Sequence, residues 1–95
     1  MSKINIVIPT LNEDKNILSL IKSIKKYVPN AHICIVDDSK KNYIGIILKK
    51  NNFHKVIYFH RKNKNGRGSA VIYGFKKLFN KNIDQIFIEM DADFS

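Results

Sequence analysis

Four short apolar runs punctuate the chain: Ile4-Asn5-Ile6-Val7-Ile8, His32-Ile33-Cys34-Ile35-Val36, Lys55-Val56-Ile57-Tyr58-Phe59 and Gln85-Ile86-Phe87-Ile88-Glu89-Met90. Each is of strand length, rich in β-branched or aromatic residues, and nearly continuous rather than strictly alternating, the pattern of parallel strands buried on both faces. Between them the apolar spacing becomes helical. From about Asp14 to Tyr27, residues Ile17, Leu18, Leu20, Ile21, Ile24 and Val28 share one face while Lys22, Lys25 and Lys26 point outward, with Asn12 or Asp14 placed to cap the start. A short second helix is expected from Tyr43 to about Lys50. A third is expected from Gly68 to about Phe79, with small residues where it can press closely on a sheet. Strand and helix alternate throughout, which predicts an α/β fold: an open parallel sheet of about four strands with helices on both faces.

At 95 residues the chain holds one small domain over 1–95, and two independent domains are excluded. No apolar run approaches the roughly 18 residues of a membrane span, and the N-terminus lacks a signal-peptide pattern. The single Cys34 lies within an apolar run and reads as a small buried hydrophobe in a reducing compartment, consistent with a cytoplasmic chain. Seventeen Lys and Arg against eight Asp and Glu give a formal charge of +9. Such a balance points to a polyanionic partner, but only Arg61 and Arg67 are Arg, and the Lys residues keep company with many Asn and Ile. A solvated basic surface is therefore preferred over a nucleic-acid face.

The acids are placed less evenly. Glu13, Asp14, Asp37, Asp38, Asp91 and Asp93, six of the eight, follow the first, second and fourth apolar runs. In a parallel sheet those segments share the carboxyl edge, where open α/β folds hold their ligands. Like charges repel, so gathering them calls for a divalent cation or for ligand donors. Asp91 and Asp93 are two residues apart, which in extended chain places both carboxylates on one side. That pair suits magnesium or manganese bound together with a diphosphate; alternatively, it belongs to an ordinary turn. Asp37 and Asp38 can accept hydrogen bonds from a base or ribose; alternatively, Asp38 or Ser39 caps the following helix.

The segment His60-Arg61-Lys62-Asn63-Lys64-Asn65-Gly66-Arg67-Gly68-Ser69-Ala70 combines cations, two glycines and a helix start; its backbone N–H groups and charges can hold a phosphate, or it is simply a basic turn before a helix. It is neither a P-loop nor the dinucleotide Gly-x-Gly-x-x-Gly fingerprint. The three His residues share no zinc-ligand spacing, and Ser39, Ser69 and Ser95 have no identifiable base partner.

Taken in order, Ile8-Pro9-Thr10-Leu11-Asn12-Glu13, Val36-Asp37-Asp38-Ser39, Lys64-Asn65-Gly66-Arg67-Gly68-Ser69-Ala70 with Gly74-Phe75, and Met90-Asp91-Ala92-Asp93-Phe94-Ser95 resemble the motifs of family 2 glycosyltransferases, closest to the dolichol-phosphate or polyprenyl-phosphate mannosyltransferases. The resemblance implies the nucleotide-binding half of a GT-A fold, with strand order 3-2-1-4. It places Pro9, Leu11 and Glu13 in the nucleotide pocket, Val36 and Asp38 near base and ribose, and Asp37 in support of that loop. Asp91, Ala92 and Asp93 face the diphosphate. Asp93 is the direct ligand of Mg2+ or Mn2+, with Asp91 and Ser95 beside it, and Arg61 and Lys64 are candidate phosphate contacts. The implied donor is a nucleotide sugar, GDP-sugar ahead of UDP-sugar, and the implied acceptor is a lipid phosphate, which allows a peripheral position at the cytoplasmic face of a membrane.

In the resemblance, acceptor binding and the catalytic base belong to a later half that the chain lacks, so the chain alone is expected not to transfer sugar. Its fourth strand would end as an exposed edge, with Ile86, Phe87, Ile88 and Met90 uncovered and self-association expected there. Two other readings stand beside this one: a non-catalytic nucleotide-binding module that needs a partner chain, and a basic nucleic-acid or membrane-surface binder.

Overall fold

A computed structural model describes residues 2–12, 15–53, 55–62 and 66–92. Four strands, β1 (Lys3–Thr10), β2 (His32–Asp37), β3 (Ile57–His60) and β4 (Gln85–Glu89), alternate with three helices, α1 (Ile17–Tyr27), α2 (Tyr43–Lys50) and α3 (Arg67–Leu78). All pairings are parallel, as the α/β pattern predicts, and the strand order is β3-β2-β1-β4, the order that the resemblance implies.

The continuous apolar runs have a direct structural reason. In β1 and β2, Ile6, Ile8, Ile33 and Ile35 turn to the face covered by α1 and α2 and pack with Ile17, Ile21, Ile24, Ile44 and Leu48. Their neighbours Val7, Cys34 and Val36 turn to the other face and pack with Ala70 and Leu78 of α3. With both sides of the central strands under helices, every position can be apolar. Gly74 sets how closely α3 approaches: a Cβ there would stand 2.6 Å from Val7 Cγ1 and 3.2 Å from Val36 Cγ2. A methyl group at this position would push the helix off the sheet, costing about 1 to 3 kcal/mol.

Three local expectations are corrected. Helix α1 starts at Ile17 rather than near Asp14, and its N-cap residue is Asn16, with no side-chain cap. Asn12 does not cap it; Asn12 takes a left-handed backbone (φ 57°), which Asn tolerates, and donates its N–H to Ser39 Oγ at 2.6 Å. Nor does Asp38 or Ser39 cap α2, whose N-cap residue is Asn42; both have partners elsewhere.

Strand β4 lies at the sheet edge, beside β1 alone. Ile86 and Ile88, in register with Ile4 and Ile6, are 50% and 37% exposed. Phe87 is partly covered, contrary to expectation, because α3 carries Phe75 (ring centroids 4.9 Å apart) and is followed by Phe79 (6.5 Å). Met90 is likewise partly buried, against the α1 side of the core. Among the described residues, no helix is long and apolar enough to cross a membrane.

Candidate functional site

The carboxyl ends of the parallel strands meet the start of α3 at one rim of the sheet. A cleft of about 270 Å³ opens there, lined by Pro9, Thr10 and Leu11 from the end of β1, Asp38 after β2, and Gly66, Arg67 and Ala70 at the start of α3. Gly66 has φ 108°, a conformation that side-chain-bearing residues rarely adopt, and it turns the chain so that α3 begins with its N-terminus at the cleft.

Asp37, at the end of β2, is fully buried and accepts four hydrogen bonds. Its Oδ1 receives the Thr10 hydroxyl (2.8 Å), the Ser39 N–H (3.1 Å) and the Ser39 hydroxyl (2.5 Å); its Oδ2 receives the Tyr58 hydroxyl (2.8 Å). A buried carboxylate is tolerable only with such compensation. Burial, and then the bond to Asp37, holds the Tyr58 hydroxyl well above its ordinary pKa. His60 Nε2 lies 2.6 Å from the Ser39 carbonyl, which can only accept, so this nitrogen carries the proton. One carboxylate thereby ties together the ends of β1 and β2, strand β3 and the loop after β2.

Asp38 is held just as firmly by a different partner. Arg61 approaches it with two prongs, Nε to Oδ1 and Nη2 to Oδ2, both at 2.8 Å. The side chains of this pair are only 8% and 7% exposed. The guanidinium also donates to Ser69 Oγ (3.0 Å) and lies over the Tyr73 ring (5.5 Å to the centroid). Asp38 raises the pKa of Arg61 further. The structure thus places Arg61, a candidate phosphate contact from sequence, on a carboxylate instead.

At β4 the arrangement is looser. Arg67, the first residue of α3, bridges Glu89 and Asp91, with Nη2 bonded to Glu89 Oε2 and 2.5 Å from Asp91 Oδ1. All three side chains are roughly half exposed: 49%, 41% and 64%. Two hard carboxylate oxygens sharing one cation form a donor set that fits a divalent ion such as Mg2+ or Mn2+, which takes one or two protein carboxylates and fills its remaining positions with water and phosphate oxygens. Among the described residues, no group of three or more His, Cys, Asp or Glu stands together.

Of the other residues singled out from sequence, Pro9 and Leu11 line the cleft. Val36 is buried beneath α3, and Ala92 is buried in the core on the α1 side, so neither side chain faces the cleft. Glu13, Lys64, Asp93 and Ser95 lie outside the described residues. Sequence reasoning gave no role to Thr10, Tyr58 or Glu89, and took Arg67 and His60 only as part of a basic segment. Glu89 could have been found: the two-residue spacing that pairs Asp91 with Asp93 pairs Glu89 with Asp91 equally well.

The chain is similar to three named proteins. It is 31% identical over 93 residues to a polyprenol monophosphomannose synthase of Mycolicibacterium smegmatis, covering 95% of this chain and 35% of that protein. It is 31% identical over 91 residues to an undecaprenyl-phosphate mannosyltransferase of Micrococcus luteus (94% and 37%). It is also 31% identical over 94 residues to a dolichol-phosphate mannosyltransferase of Pyrococcus furiosus (96% and 26%). The chain therefore spans about a third of the length of these relatives or less. The model of the glycosyl transferase family 2 domain matches residues 5–95, nearly the whole chain, and with the parallel sheet and the cleft at its carboxyl edge it places the chain in glycosyl transferase family 2.

Proposed function

We propose that this chain is the donor-binding part of a metal-dependent glycosyltransferase that moves a hexose such as mannose from a GDP-sugar to a polyprenyl-phosphate acceptor. The observation that carries the reading is the cleft at the carboxyl edge, walled by the end of β1, Asp38 and the glycine-led start of α3, with Asp91 close by through Arg67. The names of the relatives support the sugar and the class of acceptor.

In this reading Pro9 and Leu11 give the nucleotide its apolar wall. Asp37 fixes the rim through Thr10, Ser39 and Tyr58. Arg61 acts as a positioning residue for Asp38 rather than as a phosphate contact. The N-terminus of α3 directs backbone N–H groups and the positive end of its dipole toward phosphate oxygens. Asp91, with Asp93, would hold Mg2+ or Mn2+, which when bound supplies positive charge against the departing nucleoside diphosphate. This reading covers donor binding alone: the chain spans about a third of the relatives' length, and acceptor binding and the catalytic base are assigned to none of its residues. The exposed Ile86 and Ile88 edge belongs to the same reading, as a surface for self-association.

Calorimetric titration of GDP and UDP, with and without MnCl2, tests the proposal on the parent chain and on an Asp91→Ala, Asp93→Ala double variant checked for folding. The expected result is manganese-dependent binding, tighter for GDP, that weakens at least about tenfold in the double variant, in line with loss of a charge-assisted ligand set. Absence of nucleotide binding by a folded parent chain would overturn it. So would binding that ignores manganese and vanishes with added salt, the signature of a polyanion binder.

A further inference from the structure

Two arginines lie at this rim, and they are held in opposite ways. Arg61 is sequestered by a carboxylate, a hydroxyl and an aromatic face. Arg67 is half exposed, lines the cleft, and is held through ion pairs with Glu89 and Asp91. Exposed ion pairs of this kind are weak and exchange readily. The two carboxylates, two residues apart at the end of an edge strand, repel each other unless a cation lies between them.

We propose that Arg67 is a displaceable counter-ion: it neutralises Glu89 and Asp91 while the site is free of ligand, and it gives up Asp91 when a divalent cation binds there. The released guanidinium turns to anionic oxygens in the cleft that it already lines. This needs only rotation of a long side chain, because Arg67 is the first residue of α3 and its backbone is fixed by the helix. A guanidinium pairs with phosphate oxygens as readily as with carboxylates, so the exchange conserves its hydrogen bonds. The pairing also has a competitive consequence: while Arg67 occupies Asp91, the apparent affinity for a cation is reduced by the fraction of chains in which the carboxylate is taken. Metal and nucleotide then favour each other, since phosphate oxygens hold the guanidinium away from Asp91.

The first half of this scheme rests on the cation site proposed at Asp91, and the second half on the proposed nucleotide site as well. MnCl2 alone is therefore titrated first, into the parent chain and into Arg67→Gln, Arg67→Lys and Asp91→Asn variants, each verified as folded by circular dichroism. Arg67→Gln is expected to bind Mn2+ about two- to fivefold more tightly than the parent, the range set by the strength of an exposed pair. Arg67→Lys, which restores the charge, should return affinity to near the parent value, and Asp91→Asn should weaken it. With GDP added, the sign reverses: Arg67→Gln binds the manganese–nucleotide pair more weakly than the parent. Unchanged or weaker Mn2+ binding in Arg67→Gln, or no Mn2+ binding in any variant, overturns the proposal. Nucleotide binding by the parent chain is read separately. A parent that binds GDP with manganese while Arg67→Gln leaves Mn2+ affinity unchanged keeps the donor site and loses the counter-ion.

Discussion

Two stretches of the same sheet edge carry carboxylates, and they differ in almost everything except position. At the end of β2, Asp37 is fully buried and saturated by protein donors, and Asp38 is sealed by a two-pronged arginine. At the end of β4, Glu89 and Asp91 face solvent and share a half-exposed guanidinium. Location at the carboxyl end of a strand therefore does not make a carboxylate available. Burial and the identity of its partners decide that: the β2 carboxylates are closed off by their own donors, whereas the β4 carboxylates stay open to solvent.

The largest effect that tests this contrast is expected at Asp37. In Asp37→Ala the Thr10, Ser39 and Tyr58 hydroxyls and the Ser39 N–H lose their common acceptor inside the protein. Each stranded buried group costs about 1 to 3 kcal/mol, so a loss of at least about 4 kcal/mol is expected, much of the stability of a domain this size. Urea unfolding followed by circular dichroism measures it, and a loss below about 1 kcal/mol would break the comparison. Arg61→Ala comes next. It leaves Asp38 charged and almost without solvent, which costs about 3 kcal/mol at the lower end for broken buried pairs. A double-mutant cycle with Asp38→Asn separates the pairing from the packing of Arg61 on Tyr73.

The contrast also bears on how far the sequence could be read. Element types and the parallel order were legible because β1 and β2 lie under helices on both faces, and that condition is written into their own residues as unbroken apolar runs. The run over β4 looks the same, yet Ile86 and Ile88 are exposed, because cover for an edge strand comes from other segments and leaves no trace in the strand. Asn12 was legible as a polar residue before a helix but not as a left-handed turn tied to Ser39, 27 residues away. The clustering of acids pointed to the rim at which the cleft opens. It could not separate Asp38 from Asp91, because the difference lies in Arg61, which is 23 residues from its partner and identical in composition to Arg67.

Alkaline titration gives a smaller effect, confined to the buried side. Burial, and then Asp37, raises the Tyr58 pKa above its ordinary value of 10, and burial pushes the Cys34 thiol from 9.0 up to about 11. Both groups are neutral when protonated, and the folded chain holds these protons more tightly than the unfolded chain. The stability they contribute is complete below about pH 9 and is lost as pH rises through the folded values, by at most about 1.4 kcal/mol per pH unit for each group. Unfolding midpoints should fall between pH 9 and 11. Cys34→Ala should flatten that fall, and Tyr58→Phe should flatten the part above pH 10. Parallel slopes for parent and Tyr58→Phe above pH 10 would show that Tyr58 keeps no extra hold on its proton in the folded chain.

The smallest expected effect sharpens the comparison most, because it is a near-absence on the open side. Asp91→Asn removes one arm of an exposed three-membered ion cluster but also relieves repulsion between Asp91 and Glu89. The two changes oppose each other, and exposed pairs contribute at most about 1 kcal/mol, so stability should shift by less than that in either direction. Raising ionic strength to 0.5 M should shrink even this shift, since charges half in solvent are screened within a few ångströms. A loss approaching that of Arg61→Ala, and unmoved by salt, would make the β4 rim as structural as the β2 rim, and Asp91 would then be no more available to a ligand than Asp38 is.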